Sequence, residues 1–188
     1  MIKAAIISIG NELLTGQQVD TNSNYLARQL LELNIPVFAK FTIGDNISEI
    51  KQMIQTASED ADIILLTGGL GPTDDDVTRF ALAEFINSEL ALDERSLGII
   101  RKFFESRGKV MPERNIIQAK FPCDTEPMDN DIGTAPGILV EKKGKIIAAF
   151  PGVPPEMKRM FDRYVMGRLK QISGKQSVVI KKLKCIGL

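Results

Sequence analysis

The chain has no histidine and no tryptophan among its 188 residues. Without imidazole there is no Ser/His or Cys/His nucleophile system and no histidine-held zinc. Any catalysis must run on carboxylates, lysines, hydroxyls, backbone amides or a hard metal ion. Two tyrosines and nine phenylalanines are too few for a platform that stacks single-stranded bases. An excess of charge is also lacking: 24 Lys plus Arg balance 24 Asp plus Glu. No bulk field draws in nucleic acid, and KKLK (181–184) reads as a solvated strand face. The two cysteines, Cys123 and Cys185, lack metal-ligand spacing and read as reduced thiols of a cytoplasmic protein. No apolar run approaches the roughly 20 residues that cross a bilayer, so no membrane partner is expected. MIKAAIISIG, at the start, is too short for a signal peptide and reads as a buried strand.

What is present is an alternation of short apolar runs and longer amphipathic ones. Strands are expected at 4–10, 35–44 and 61–69, and helices at 20–33, from Asn46, at 74–86 and at 93–107. The run ADIILL shows no alternation, as in a strand covered on both faces. Asn46 followed by Glu49 is a cap-like pattern. Residues 110–137 hold four of the nine prolines and read as loops around a short helix at 113–119. GILVE and KIIAAF flank KKGK as a hairpin, and a final helix opens at PGVPPEM and ends near Ser173-Gly174. The pattern predicts an α/β protein: a three-layer α/β/α sandwich with a mainly parallel sheet. Residues 1–172 form the expected domain, and 173–188 a linker with the first strand of a following one.

The candidate chemistry sits where strands end. TGGLGPTDDDVT (67–78) follows the third strand and sets three glycines and a proline before three aspartates. Thr73 as helix cap with Asp76 at its third position is one reading. That leaves Gly68, Gly69 and Gly71 unexplained, together with three adjacent like charges. The alternative is a ligand site, since open α/β sheets bind ligands beyond this edge and glycines let backbone amides approach phosphate. The stretch is neither G-x-G-x-x-G nor a P-loop. Carboxylates beside such a cradle suit phosphate held through Mg²⁺ or Mn²⁺. GNE (10–12), GDN (44–46), GTAPG (133–137) and PGVPPE (151–156) end or follow other strands. Asp45 is placed to point into the same crevice; for Glu156 a helix-dipole role weighs at least as much as catalysis.

Together, GNELLTGQQVDTNSNYLA (10–27), GDN (44–46), TGGLGPTDDDVT (67–78), NIIQA (115–119), GTAPG (133–137) and PGVPPEM (151–157) resemble the N-terminal domain of the CinA family, labelled competence/damage-inducible. That domain is similar to the molybdopterin-binding fold of molybdenum-cofactor synthesis proteins. The resemblance covers about residues 1–172. It implies metal-dependent hydrolysis of ADP-ribose to AMP and ribose 5-phosphate, with Mg²⁺, Mn²⁺ or Co²⁺, a homodimer, and further C-terminal domains in the full-length protein. On this reading Asp45, Asp75 and Asp76 place the metal, and Glu12 assists Asp45 and Asp76 in catalysis. Gly68, Gly69, Gly71 and Thr73 shape the phosphate contacts; Asn11, Asn24, Gly133, Thr134, Gly137 and Gly152 complete the substrate loops. Asn11 replaces the family's usual threonine, and Asp74 occupies a variable position. The competing expectations are a molybdopterin-binding or adenylylating domain and a noncatalytic nucleotide sensor.

Overall fold

A computed structural model describes residues 2–142 and 144–174. Its main sheet has six strands: β1 (Ala4–Ile9), β2 (Val37–Ile43), β3 (Ile63–Thr67), β6 (Glu126–Met128), β7 (Gly137–Lys142) and β8 (Lys145–Phe150). Their spatial order is β2-β1-β3-β8-β7-β6. The first four run parallel, and β7 and β6 follow antiparallel. Two further strands, β4 (Leu90–Leu92) and β5 (Lys120–Pro122), pair antiparallel as a separate two-stranded ribbon among the described residues.

Residue alternation explains the three layers. Ala5, Ile7 and Ile9 of β1, with Ile64 and Leu66 of β3, face α3 (Ile47–Asp60) and α4 (Thr78–Ile86) through Ile50, Ile54, Ala81 and Leu82. Ala4, Ile6, Ile63 and Leu65 face the opposite layer. There they meet Leu26 and Leu30 of α2 (Thr21–Glu32), then Met157 and Phe161 of the C-terminal helix. Every residue of β1 and β3 is buried, and both strands are apolar except for Ser8 and Thr67, whose hydroxyls are hydrogen-bonded. Edge strand β2 instead alternates half-buried and exposed positions. The expected sandwich is therefore the observed architecture.

The caps follow simple chemistry. The Asn46 side chain accepts from the Glu49 amide at 3.2 Å, as its spacing predicts. Asp20 does the same for α2, and Asp93 for α5 (Glu94–Glu105), accepting from Ser96 N at 2.8 Å. The segment 113–119 is a 3₁₀ turn of helix, and β7–β8 is the expected hairpin.

Some expectations change. The helix expected at 74–86 begins only at Thr78, and Thr73 does not cap it. The Asp76 carboxylate bonds back into its own loop, which holds residues 71–76 as a turn. A one-turn helix, α1 (Asn11–Leu14), occupies what reads as loop. The three-residue strands β4, β5 and β6 are too short to show periodicity. The C-terminal helix is divided into α6 (Pro154–Met160), a π-helical turn (Phe161–Val165) and α7 (Met166–Ser173). The expected strand after 174 lies outside the described residues.

Asp93→Ala removes the N-cap of α5, whose carboxylate accepts from Ser96 N. It should lower unfolding stability by about 1 kcal/mol in urea melts.

Candidate functional site

The carboxyl ends of the four parallel strands deliver their following turns to one edge. Residues of the turns at 10–12, 44–45, 68–76 and 151–156 lie there, and most of them, together with Gln118, Thr134 and Ala135, surround a cavity of about 670 Å³. That volume falls in the range for small-molecule sites. Of the expected residues, Asn11, Glu12, Asp45, Gly68, Gly69, Gly71, Thr73, Asp75, Asp76, Thr134 and Gly152 line it. Three do not. Asn24 lies exposed on α2, donating to Asp20 O and accepting from Lys40 Nζ at 2.8 Å. Gly137 is core, with Met128 and Met160 packed against it. Gly133 is buried behind the wall, beneath the Glu156 carboxylate. Asp74 is exposed and outside the lining.

The glycine loop is built by close approach. Gly68 has φ +106°, and a Cβ there would lie 2.1 Å from the Ile9 carbonyl oxygen. Its amide donates to Phe150 O, and its carbonyl accepts from Thr78 Oγ1 at 2.8 Å. Further along, Asp76 receives the Gly71 amide at 2.8 Å and the Thr73 amide at 2.9 Å, with the Thr73 hydroxyl beside them. A Cβ on Gly71 would collide with that carboxylate. Beneath the loop lies Arg79, with no exposed surface. Its guanidinium donates to Leu70 O (2.7 Å), Lys120 O (3.0 Å) and Gln118 O (3.4 Å). Burial lowers its pKa to about 10, against the pull of the Asp76 charge. It remains a cation at neutral pH.

Cross-bonds fix the turns to one another. Asn11 N donates to Asp45 Oδ2 (3.0 Å), while Asp45 N donates to Asn11 Oδ1 (3.4 Å). Asn22 Nδ2 reaches both Thr67 Oγ1 and Gly152 O at 2.8 Å, tying the end of β3 to the turn after β8.

Two carboxyls titrate above their ordinary range. Burial raises Asp45; the Asn11 amide opposes it, and the charges of Glu12, Asp75 and Asp76 push it further up. Burial likewise raises Glu156, opposed by the bond from Asn130. A role confined to the helix dipole would hold Glu156 low instead. Among the described residues no three Asp, Glu, His or Cys side chains are spaced to hold a metal. Asp76 has both oxygens engaged by its own loop. Asp45 and Asp75 remain as carboxylate donors on the cavity wall, and a hard cation commonly takes one or two carboxylates with substrate phosphate completing its shell. The donor set fits such a shared site and not a closed protein cage.

Sequence reasoning missed Gln118, Gln18 and Arg79 as contributors. Gln118 Oε1 accepts from Asn115 Nδ2 (2.8 Å), which leaves its buried amino group unpartnered against the cavity wall. NIIQA carried only a family signal, with no local chemistry to single out the glutamine. Arg79 reads as an ordinary helix-surface arginine.

The family model "Probable molybdopterin binding domain" matches residues 5–171. A solved structure, "the protein CinA with unknown function from Thermoplasma acidophilum", superposes with a TM-score of 0.79 at 35% identity, covering 86% of this chain and 94% of that one. The chain belongs to the CinA-like family, with its molybdopterin-binding-like domain. A CinA-like protein of Thermomicrobium roseum is 45% identical over 185 residues, spanning 98% of this chain and 46% of that protein. Another from Dictyoglomus thermophilum is 45% identical over 172 residues, 42% of its length. The chain thus spans less than half the length of these relatives. The molybdopterin biosynthesis enzyme MoaB of Thermus thermophilus, at 17% identity and a TM-score of 0.58, shares the fold over 95% of this chain and all of that one. No described helix is long and apolar enough to cross a membrane.

Gly68→Ala in this CinA-like domain should destabilise it by about 2 kcal/mol or more, from the left-handed φ and the Ile9 contact. Thermal or urea unfolding reads this directly. Asp45→Asn should do the reverse at neutral pH. A carboxyl with a raised folded pKa contributes its full stability below its unfolded pKa and loses it as pH rises through the folded one. The variant should therefore melt above the parent at pH 7.5, and the gain should vanish once acid protonates Asp45. Melting curves across pH check both limbs.

Proposed function

We propose that the cavity binds a small phosphorylated ligand of the molybdopterin or nucleotide kind, phosphate against the Gly68–Gly71 loop. The observation that carries this reading is the loop itself: glycine backbone held open at the sheet's carboxyl edge, with the buried Arg79 cation beneath it. The family model and the fold shared with molybdopterin biosynthesis proteins support the same class of ligand.

A catalytic reading adds ADP-ribose as substrate, with hydrolysis of its diphosphate to AMP and ribose 5-phosphate. The crowding of Glu12, Asp75 and Asp76 around Asp45 favours it, because like charges so close call for a cation. A bound Mg²⁺, Mn²⁺ or Co²⁺ would neutralise phosphate charge and promote attack by water. Asp45 and Asp75 would hold it together with phosphate oxygens. Glu12, on the same wall, would take a proton from water. Asp76 would act on the loop, keeping Gly71 and Thr73 in place.

One panel separates the readings. The folded protein is incubated with ADP-ribose and each metal, AMP is assayed, and molybdopterin and ADP-ribose are titrated in parallel. Metal-dependent AMP formation, reduced at least tenfold by Asp75→Asn without a change in melting, is the outcome expected of the hydrolase. Molybdopterin binding without AMP formation gives the cofactor-binding domain. ADP-ribose binding without cleavage gives a nucleotide sensor. Failure to bind either ligand overturns the proposal.

A further inference from the structure

The cavity has a second carboxylate centre, set apart from the acidic rim. Asp45 feels the charges of Glu12, Asp75 and Asp76; among the described groups, Glu156 responds to none of them. It nevertheless lines the same cavity, against Gly133 of the β6–β7 loop.

Glu156 is held firmly. Its hydrogen bond, among the described residues, comes from Asn130 Nδ2 onto Oε2 at 2.6 Å. Asn130 is buried and braced on every side. Its amino group also reaches Ala135 O (3.0 Å), and its oxygen receives the Ile132 (3.2 Å) and Gly133 (2.8 Å) amides. One turn along, Arg159 Nε donates to Asp131 Oδ2 at 2.8 Å, pinning the same loop to α6 a second time. Gly133 lies under the carboxylate where any side chain would collide with it. Such bracing fixes the direction of a functional side chain.

The other oxygen, Oε1, has no donor among the described residues. A half-buried carboxylate with one hydrogen bond is poorly compensated for its lost water, which agrees with the upward shift of its titration. It repels phosphate, so the ligand portion beside it is uncharged. It accepts hydrogen bonds and offers none when ionised, so that portion carries N–H or O–H donors. Paired hydroxyls suit a carboxylate in this position, as the acidic residue of dinucleotide-binding folds shows with ribose.

We propose that Glu156 is the specificity residue for a ribose-type vicinal diol, so that the cavity takes a nucleotide or sugar phosphate with its phosphates at the glycine loop and a sugar at the β6–β7 loop. This rests on the phosphorylated-ligand reading above and selects, within it, the ribose-bearing class. Thr134, which follows Gly133 in the chain, lines the same cavity and offers a further hydroxyl.

The test measures affinity by calorimetry at pH 7.5. Its probes are ADP-ribose, the analogues lacking the 2-hydroxyl of one ribose or the other, and inorganic pyrophosphate. The native chain should bind one of the deoxy analogues at least about tenfold more weakly than ADP-ribose, the loss of a hydrogen bond to a charged group. Glu156→Gln keeps an acceptor for Asn130 and should shrink that ratio to about threefold or less; Glu156→Leu should bring it to about one. Pyrophosphate affinity should not move in either variant. The proposal is overturned if the native chain does not discriminate, or if both variants keep the native ratio. A parallel fall in pyrophosphate affinity would also overturn it, marking a merely structural role. If neither ADP-ribose nor pyrophosphate binds the native chain, the phosphorylated-ligand reading itself has failed. Loss of discrimination with pyrophosphate still bound isolates Glu156.

Discussion

A guanidinium sealed from water must find acceptors, and the cavity takes its form from how Arg79 does so. Leaving such a charge uncompensated costs several kcal/mol. Arg79 on α4 gathers the carbonyls of Leu70, Gln118 and Lys120 from three separate segments. The glycine loop, the 3₁₀ segment and β5 therefore converge on one point. The arginine also joins the small β4–β5 ribbon to the main sheet, with Phe121 entering the core beside Ala81 and Leu82. A positive charge beneath backbone amides favours an anion above them, and Asp76 supplies part of that balance from its own loop.

This arrangement explains which parts of the chain were legible. β1 and β3 announce themselves because burial on both faces demands runs that are almost wholly apolar, and Asp20, Asn46 and Asp93 mark helix starts because short polar side chains reach orphan amides. The strand-end glycines could be placed at one edge from topology alone. The role of Asp76 could not. A capping box and a loop brace use the same Thr-x-x-Asp spacing; the difference lies in Gly71, whose missing Cβ lets the carboxylate fold inward. Arg79 was hidden for the opposite reason. Its acceptors lie 9 to 41 residues away, and no local pattern records them.

Asn24 and Gly137 illustrate a second limit. Both belong to segments that carry the family resemblance, yet one faces Lys40 at the surface and the other packs under Met128 and Met160. Membership of a motif locates a segment; the direction of a side chain depends on the helix or strand that carries it. Glu156 shows the converse. Its place in a first helical turn suggests dipole compensation, but the Asn130 brace turns the carboxyl toward the cavity, where burial outweighs any gain from the helix end.

The two carboxylate centres then divide the cavity by charge. Around Asp45, the charges of Glu12, Asp75 and Asp76 add to the cost of its burial; at Glu156 the cost is burial alone. A ligand that brings phosphate with a bound cation to one end and neutral hydroxyls to the other, as proposed, would relieve both, since the cation and the hydroxyls are what the nearby carboxylates lack. Neither centre is favourable to the folded chain by itself, and the glycine loop and the Asn130 brace hold them against that cost. A cavity strained in this way gains more from its ligand than a relaxed one, because binding supplies donors and counter-charge that folding left out. A ligand of matching polarity, as proposed, would recover as selectivity the stability that the acidic rim withholds from the fold.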